Sequence, residues 1–110
     1  PAGLVGDEEG HDDPEETAKL ELEEETGYAC EKVERLTSGP TSAGITSELV
    51  TFFRATGLEQ RGKGGGVGGE DITVHRVPRG AVVDWLKRKN GEGILIDAKV
   101  WAGLWFLKNN

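Results

Sequence analysis

The sequence is poor in the residues that build large or cross-linked cores. Its 110 residues include one cysteine and no methionine, and only 6% are aromatic and 35% hydrophobic. A single thiol forms no intrachain disulfide, so we expect a reducing compartment, the cytoplasm. No apolar run approaches the roughly 20 residues that span a membrane. We therefore expect one domain, residues 1–110, with a modest core and no membrane partner.

Basic charge is also scarce. The chain has 20 acidic and 13 basic residues and a formal net charge of −7. Nucleic-acid-binding domains usually present a basic face, and the KRK cluster at 87–89 is short and lies among acidic neighbours. We therefore expect no nucleic-acid partner. An acidic protein that handles phosphates needs metal ions between the like charges.

Cap and turn residues divide the chain into helices and strands in irregular order. Asp13, Pro14 and Glu16 form a capping-box-like start, and Gly27 is a natural end, which together predict a helix over 14–26. β-branched and aromatic residues or alternation predict strands, and amphipathic patterns predict two more helices. The predicted strands are 28–36, 45–56 and 72–77, the helices 80–89 and 97–108, and the loops 37–44 and 61–69, the latter flexible and glycine-rich. We expect Trp85, Trp101 and Trp105 in the core of a layered α/β domain.

The helix over 14–26 ends in an unusual group of carboxylates. Glu21, Glu24 and Glu25 have the spacing i, i+3, i+4 and share one stripe. Anions are unfavourable at a helix C-terminus and repel one another at these spacings. A divalent ion such as Mg²⁺ or Mn²⁺, which prefers hard oxygen ligands, would compensate for both effects. From composition alone, the commoner explanation of such a run is a solvated acidic face.

The stretch 21–28, ELEEETGY, resembles the second half of the Nudix box, the signature of Nudix hydrolases. PAG at 1–3 resembles the strand end that precedes the box, and 4–16 resembles the box loop with a short insertion. The combination is similar to the ADP-ribose pyrophosphatase branch. The resemblance implies an α/β/α sandwich with a mixed sheet, which is N-terminally incomplete because the family has several strands before PAG.

Two positions depart from the box. Leu20 stands where the family has an arginine that holds the metal-binding carboxylates in place, and Asp12 stands where it has its first glutamate. The alternative to an active enzyme is therefore a catalytically impaired Nudix-fold protein that binds a nucleotide or a protein partner.

The resemblance implies a role for individual residues. Metal ligands would be Glu21, Glu25, Glu24 and the carbonyl of Ala2, and Ser42 and Gly44 stand in the position of a substrate-binding Ser-Pro-Gly. Glu48 is similar to an acidic residue of the branch, and Glu70, at the end of the glycine-rich loop, is similar to a catalytic glutamate. The catalytic candidates are thus Glu70, Glu24 and Glu48. An ordinary acid pair of Glu70 and Asp71 at a strand entry is the simpler alternative.

The implied reaction is attack of water on a diphosphate with Mg²⁺ or Mn²⁺ as cofactor. The substrate would be a nucleoside diphosphate linked to another moiety, ADP-ribose or a nucleotide sugar. The branch also implies a homodimer.

Overall fold

The computed structural model describes residues 2–6, 13–68 and 70–109. The helices are α1 (Pro14–Thr26), α2 (Val82–Gly91) and α3 (Ala98–Asn109), with a 3₁₀ turn at Arg79–Ala81. The strands are β1 (Ala2–Gly6), β2 (Tyr28–Ala29), β3 (Lys32–Pro40), β4 (Leu49–Thr56) and β5 (Glu59–Gln60). Pro1 and Asp12 lie outside the described residues.

A three-stranded sheet with the order β1-β4-β3 forms the middle of the molecule. Both pairings are antiparallel, as is the small separate pair of β2 and β5. The parallel pairs of a mixed sheet are not among the pairings of the described strands. α1 lies against all three strands of the sheet, and α3 lies against β1.

Alternate residues of the central strand β4 serve the two faces of the sheet. Phe53 and Ala55 are buried together with Val33 of β3 and Ala18 of α1. Phe52 and Arg54 meet the other helix: the rings of Phe52 and Phe106 of α3 are 6.1 Å apart, and an Arg54 Nη donates to the Phe106 carbonyl. Helices therefore cover both faces, which confirms the predicted α/β/α layering.

The predicted start and end of α1 are confirmed. Asp13 accepts from the N–H groups of Glu15 and Glu16 at 3.0 and 3.2 Å, and Gly27 ends the helix with a left-handed φ of 80°. Ala18 is buried and Leu22 packs on the same core, as their spacing on one helical stripe predicts. The glutamates of α1 lie at the edge of this buried stripe or on the outer surface of the helix.

Three other expectations are wrong. Residues 72–77 form no strand despite their alternation, and 37–40 continue β3 where a loop is predicted. Trp105 is 60% exposed, although Trp85 and Trp101 are partly buried. None of the helices in the described part of the chain is long and apolar enough to cross a membrane.

Candidate active site

The carboxylates at the end of α1 differ in their exposure. Glu21 and Glu25 are half-buried, whereas Glu23 and Glu24 are exposed. Glu21 and Glu25 are three and seven residues after the buried Ala18, so they flank the face that meets the core. The predicted stripe therefore extends from the edge of the buried face to the solvent.

The glycine-rich segment after β5 binds the C-terminal end of this helix through main-chain hydrogen bonds. The Gly65 N–H donates to the Glu25 carbonyl at 2.8 Å, and the Gly66 N–H donates to the Glu24 carbonyl at 2.9 Å. The Gly27 N–H donates to the Glu23 carbonyl at 2.8 Å, which extends the series. These donors satisfy carbonyls that a helix end otherwise leaves without a partner.

This contact requires a close approach of two backbones. A Cβ added to Gly27 would lie 2.3 Å from the carbonyl oxygen of Gly62, and the φ of 80° at Gly27 also favours glycine. The predicted glycine-rich loop therefore packs against the end of α1. A Cβ at Gly64 would likewise lie 2.6 Å from the Glu25 carbonyl oxygen, so the absence of a side chain at Gly27 and Gly64 is what allows the segment to pack against α1.

The same segment carries Glu70 to the acidic end of α1. A Glu70 Oε1 accepts from the Val67 N–H at 2.8 Å, so the side chain folds back toward the glycines. Burial raises the pKa of the Glu25 carboxyl, and the negative charges of Glu70 and Glu24 raise it further. The structure thus brings together three of the predicted site residues, Glu24, Glu25 and Glu70, from segments far apart in the sequence.

The chain is similar to several characterised proteins. It is 35% identical over 112 residues to a GDP-mannose pyrophosphatase of Pectobacterium atrosepticum, across 97% of this chain and 56% of the relative. It is 47% identical over 58 residues to an ADP-ribose pyrophosphatase of Bacillus subtilis, across 53% of this chain and 30% of the relative. These pyrophosphatases are Nudix enzymes. The chain belongs to the Nudix family.

A third relative is named as an activator of another enzyme and not as a pyrophosphatase. The chain is 43% identical over 67 residues to a methanol dehydrogenase activator of Bacillus methanolicus, across 61% of this chain and 35% of the relative. The chain thus spans between 30% and 56% of the length of these three relatives. No protein-family model matches it.

Within the Nudix box, the position of the arginine is the clearest departure. Leu20 points to solvent with 63% of its surface exposed. Lys19, its neighbour, lies 3.8 Å from Glu16 and pairs toward the start of the helix. Among the described residues, no cationic side chain forms an ion pair with Glu24 or Glu25.

The carboxylates at this end of α1 and on the glycine-rich segment have the chemistry that Mg²⁺ or Mn²⁺ requires. Glu24, Glu25 and Glu70 offer carboxylate oxygens, and two neighbouring negative charges disfavour ionised Glu25 unless a cation is present. Ala2 pairs with Arg54, close to the end of β4 at Thr56. The Glu31 N–H, five residues after the end of α1, donates to the Thr56 carbonyl at 3.0 Å, and α1 lies against both β1 and β4. In the described part of the chain, however, no three such side chains are close enough to hold a metal as placed.

The other predicted residues occupy the opposite end of the sheet. Ser42, Gly44 and Glu48 are exposed in the hairpin loop between β3 and β4, where the Thr41 N–H donates to the Glu48 carbonyl at 3.2 Å. β4 has 8 residues, so this loop is on the order of 25 Å along the strand from its other end. The structure does not bring these three residues to the Nudix carboxylates.

The sequence predicts that the glycine-rich loop carries Glu70 to the site, but not that its glycines bond to the end of α1. The available signal was the group of carboxylates at the end of the helix, since carbonyls and carboxylates at one helix end require nearby donors. A run of glycines supplies such donors without side chains. The pairing joins residues about 40 positions apart, however, and no local pattern identifies it.

Proposed function

We propose that the protein is a metal-dependent pyrophosphatase that hydrolyses a nucleoside diphosphate linked to another moiety, ADP-ribose or a nucleotide sugar. The observation that carries this proposal is the placement of Glu70 beside Glu24 and Glu25. Relatives named ADP-ribose pyrophosphatase and GDP-mannose pyrophosphatase support the same substrate class.

Glu21, Glu24 and Glu25, with the carbonyl of Ala2, would hold Mg²⁺ or Mn²⁺. Such ions, when bound, neutralise the diphosphate and lower the pKa of bound water. Binding of a cation here would also remove the unfavourable charge interaction at Glu25. Because Glu25 is half-buried, the interaction is screened less than it would be on the open surface.

Glu70 would act as the general base. Its carboxylate would accept a proton from water as the water oxygen forms a bond to one phosphorus and the bridging P–O bond breaks. With ADP-ribose the products would be AMP and ribose 5-phosphate. Glu48 is the second candidate base, and its place at the far end of β4 makes it the weaker one.

Ser42 and Gly44 would bind substrate, and the protein would work as a homodimer in the cytoplasm. The hairpin loop that carries both residues is exposed and free to meet a ligand or another subunit. Sedimentation equilibrium of the intact protein tests the dimer, with twice the monomer mass as the expected result.

Glu70→Gln tests the proposed reaction directly. In an AMP-release assay with ADP-ribose and Mg²⁺ or Mn²⁺, we expect kcat to fall by on the order of 10²-fold or more because the proton acceptor is lost. Mn²⁺ affinity measured by calorimetry should change little. Asp71→Asn is the matched control, because it removes the same charge from the adjacent exposed position. Equal, small effects of both substitutions would show an ordinary acid pair.

A second candidate is a Nudix-fold protein that binds a nucleotide or a partner protein without turnover. Leu20, exposed where the box arginine stands, favours it, as does the relative named as an activator of another enzyme. The same assay separates the two candidates. Binding of ADP-ribose in calorimetry without AMP release would establish the second.

A further inference from the structure

Gly66 touches both the box helix and Glu70. Its N–H donates to the Glu24 carbonyl at 2.9 Å. A Cβ added to it would lie 2.8 Å from the Glu70 Cβ and 2.9 Å from the Glu70 Oε1. The missing side chain therefore leaves the space that the Glu70 side chain occupies.

The backbone around Gly66 determines the direction in which Glu70 points. Gly66 has a φ of 85°, in the left-handed region that glycine adopts readily. The next residue, Val67, directs its N–H to the Glu70 Oε1 at 2.8 Å and accepts from the Glu70 N–H at 3.3 Å. The Glu70 carboxylate is thus held by the Val67 N–H, and Gly66, the residue before Val67, is bonded to α1.

We propose that Gly66 is the positioning residue for Glu70, which it aligns with the carboxylates of α1 by anchoring the segment and leaving room for the Glu70 side chain. This inference rests on the proposed function, since it assigns Glu70 to the reaction. Gly65 and Gly66 are bonded to α1 through their main-chain N–H groups, and the bonds between Val67 and Glu70 hold the carboxylate.

Gly66→Ala, compared with Gly93→Ala, tests this positioning. Both glycines have a left-handed φ, 85° and 97°, but nothing lies within 4 Å of a Cβ at Gly93, which follows α2. Both substitutions strain the backbone, and only Gly66→Ala displaces Glu70. We expect kcat of Gly66→Ala to fall by about tenfold or more, because small misplacements of a reacting group are costly. KM should stay within about twofold, and Gly93→Ala should keep kcat within about threefold, since the surroundings of Glu70 are unchanged.

A double variant distinguishes positioning from loss of structure. If Gly66 acts through Glu70, adding Gly66→Ala to Glu70→Gln should lower kcat by less than about twofold, because the group that it positions is already disabled. A further tenfold loss in that background would overturn the proposal. So would equal losses of kcat in Gly66→Ala and Gly93→Ala.

The amide signal of Val67 provides a readout without turnover. In metal-free protein, Gly66→Ala should move the Val67 amide resonance in the direction that Glu70→Ala moves it, because both remove the hydrogen bond. An unmoved resonance in Gly66→Ala would overturn the positioning role. If Glu70→Gln keeps full kcat, the proposed function fails instead, and the Val67 resonance alone decides whether Gly66 positions the side chain.

Discussion

Glu25 is the residue where fold and proposed function oppose each other. Its carbonyl accepts from the Gly65 N–H at 2.8 Å, and its carboxyl has a raised pKa because of burial and the charges of Glu70 and Glu24. A group whose folded pKa is raised favours folding only at low pH, and this contribution is lost as pH rises through the folded pKa. At neutral pH, ionised Glu25 therefore lowers the stability of the metal-free fold.

Glu25→Gln should accordingly stabilise the metal-free protein at pH 7. We expect Tm to rise by about 1–3 °C in the presence of a chelator, as removal of a like-charge contact gives a few tenths of a kcal/mol. The gain should shrink as pH falls through the raised folded pKa of Glu25 and vanish below the ordinary glutamate value of 4.5, where Glu25 is protonated in both states. Asp97→Asn is a control of opposite sign. Hydrogen bonds from Lys99 lower the pKa of Asp97, so the stability that ionised Asp97 contributes is present at pH 7 and lost on acidification. A lower Tm for Glu25→Gln at pH 7 would contradict the assignment.

Among the secondary-structure elements, α1 shows that the ends of a helix can be predicted from residues that are close in the sequence. Its N-cap at Asp13 and its end at Gly27 depend on neighbouring residues, and both are confirmed. Residues 72–77 have a strand pattern but no hydrogen-bonded partner strand among the described residues, and a strand without a partner does not form. The site divides in the same way. The stripe of Glu21, Glu24 and Glu25 is readable from one helix, whereas the glycine segment that completes it is joined by long-range bonds.

Gly27→Ala tests the contact between α1 and the glycine segment. The added Cβ would meet the Gly62 carbonyl oxygen at 2.3 Å in addition to the left-handed φ of 80°. Gly44→Ala is the matched control, with a φ of 85° and nothing within 4 Å of its Cβ. In urea unfolding we expect Gly44→Ala to cost about 1 kcal/mol and Gly27→Ala to cost at least about 1 kcal/mol more. Equal costs would mean that the segment moves aside freely.

The whole molecule has a small core between its layers. Few apolar residues of the described chain are fully buried, while Leu95 and Ile45 are almost fully exposed. The layered class could be predicted from the order of elements, but the exposure of Trp105 could not. An apolar pattern on a helix does not determine which neighbours are present to cover it, and this depends on the tertiary arrangement.

Phe53→Ala should therefore remove much of the stability of the protein. Phe53 is 4% exposed at the centre of the sheet, and truncation of a buried Phe costs about 3–5 kcal/mol, compared with about 5–15 kcal/mol for the total of an ordinary domain. Leu95→Ala, at a position that is 93% exposed, should change the free energy of unfolding by less than about 0.5 kcal/mol. Chemical denaturation measures both. Comparable losses would show that the core lies elsewhere.

Two arginines secure the final turn of α3. Arg54 of β4 donates to the Phe106 carbonyl, and Arg79 of the 3₁₀ turn donates to the Leu107 carbonyl at 2.6 Å. A helix tethered in this way cannot fray by itself, since its last turn opens only when bonds to the sheet and to the 3₁₀ turn break as well. Hydrogen exchange at the end of α3 should consequently follow the opening of the sheet, not that of a free terminus.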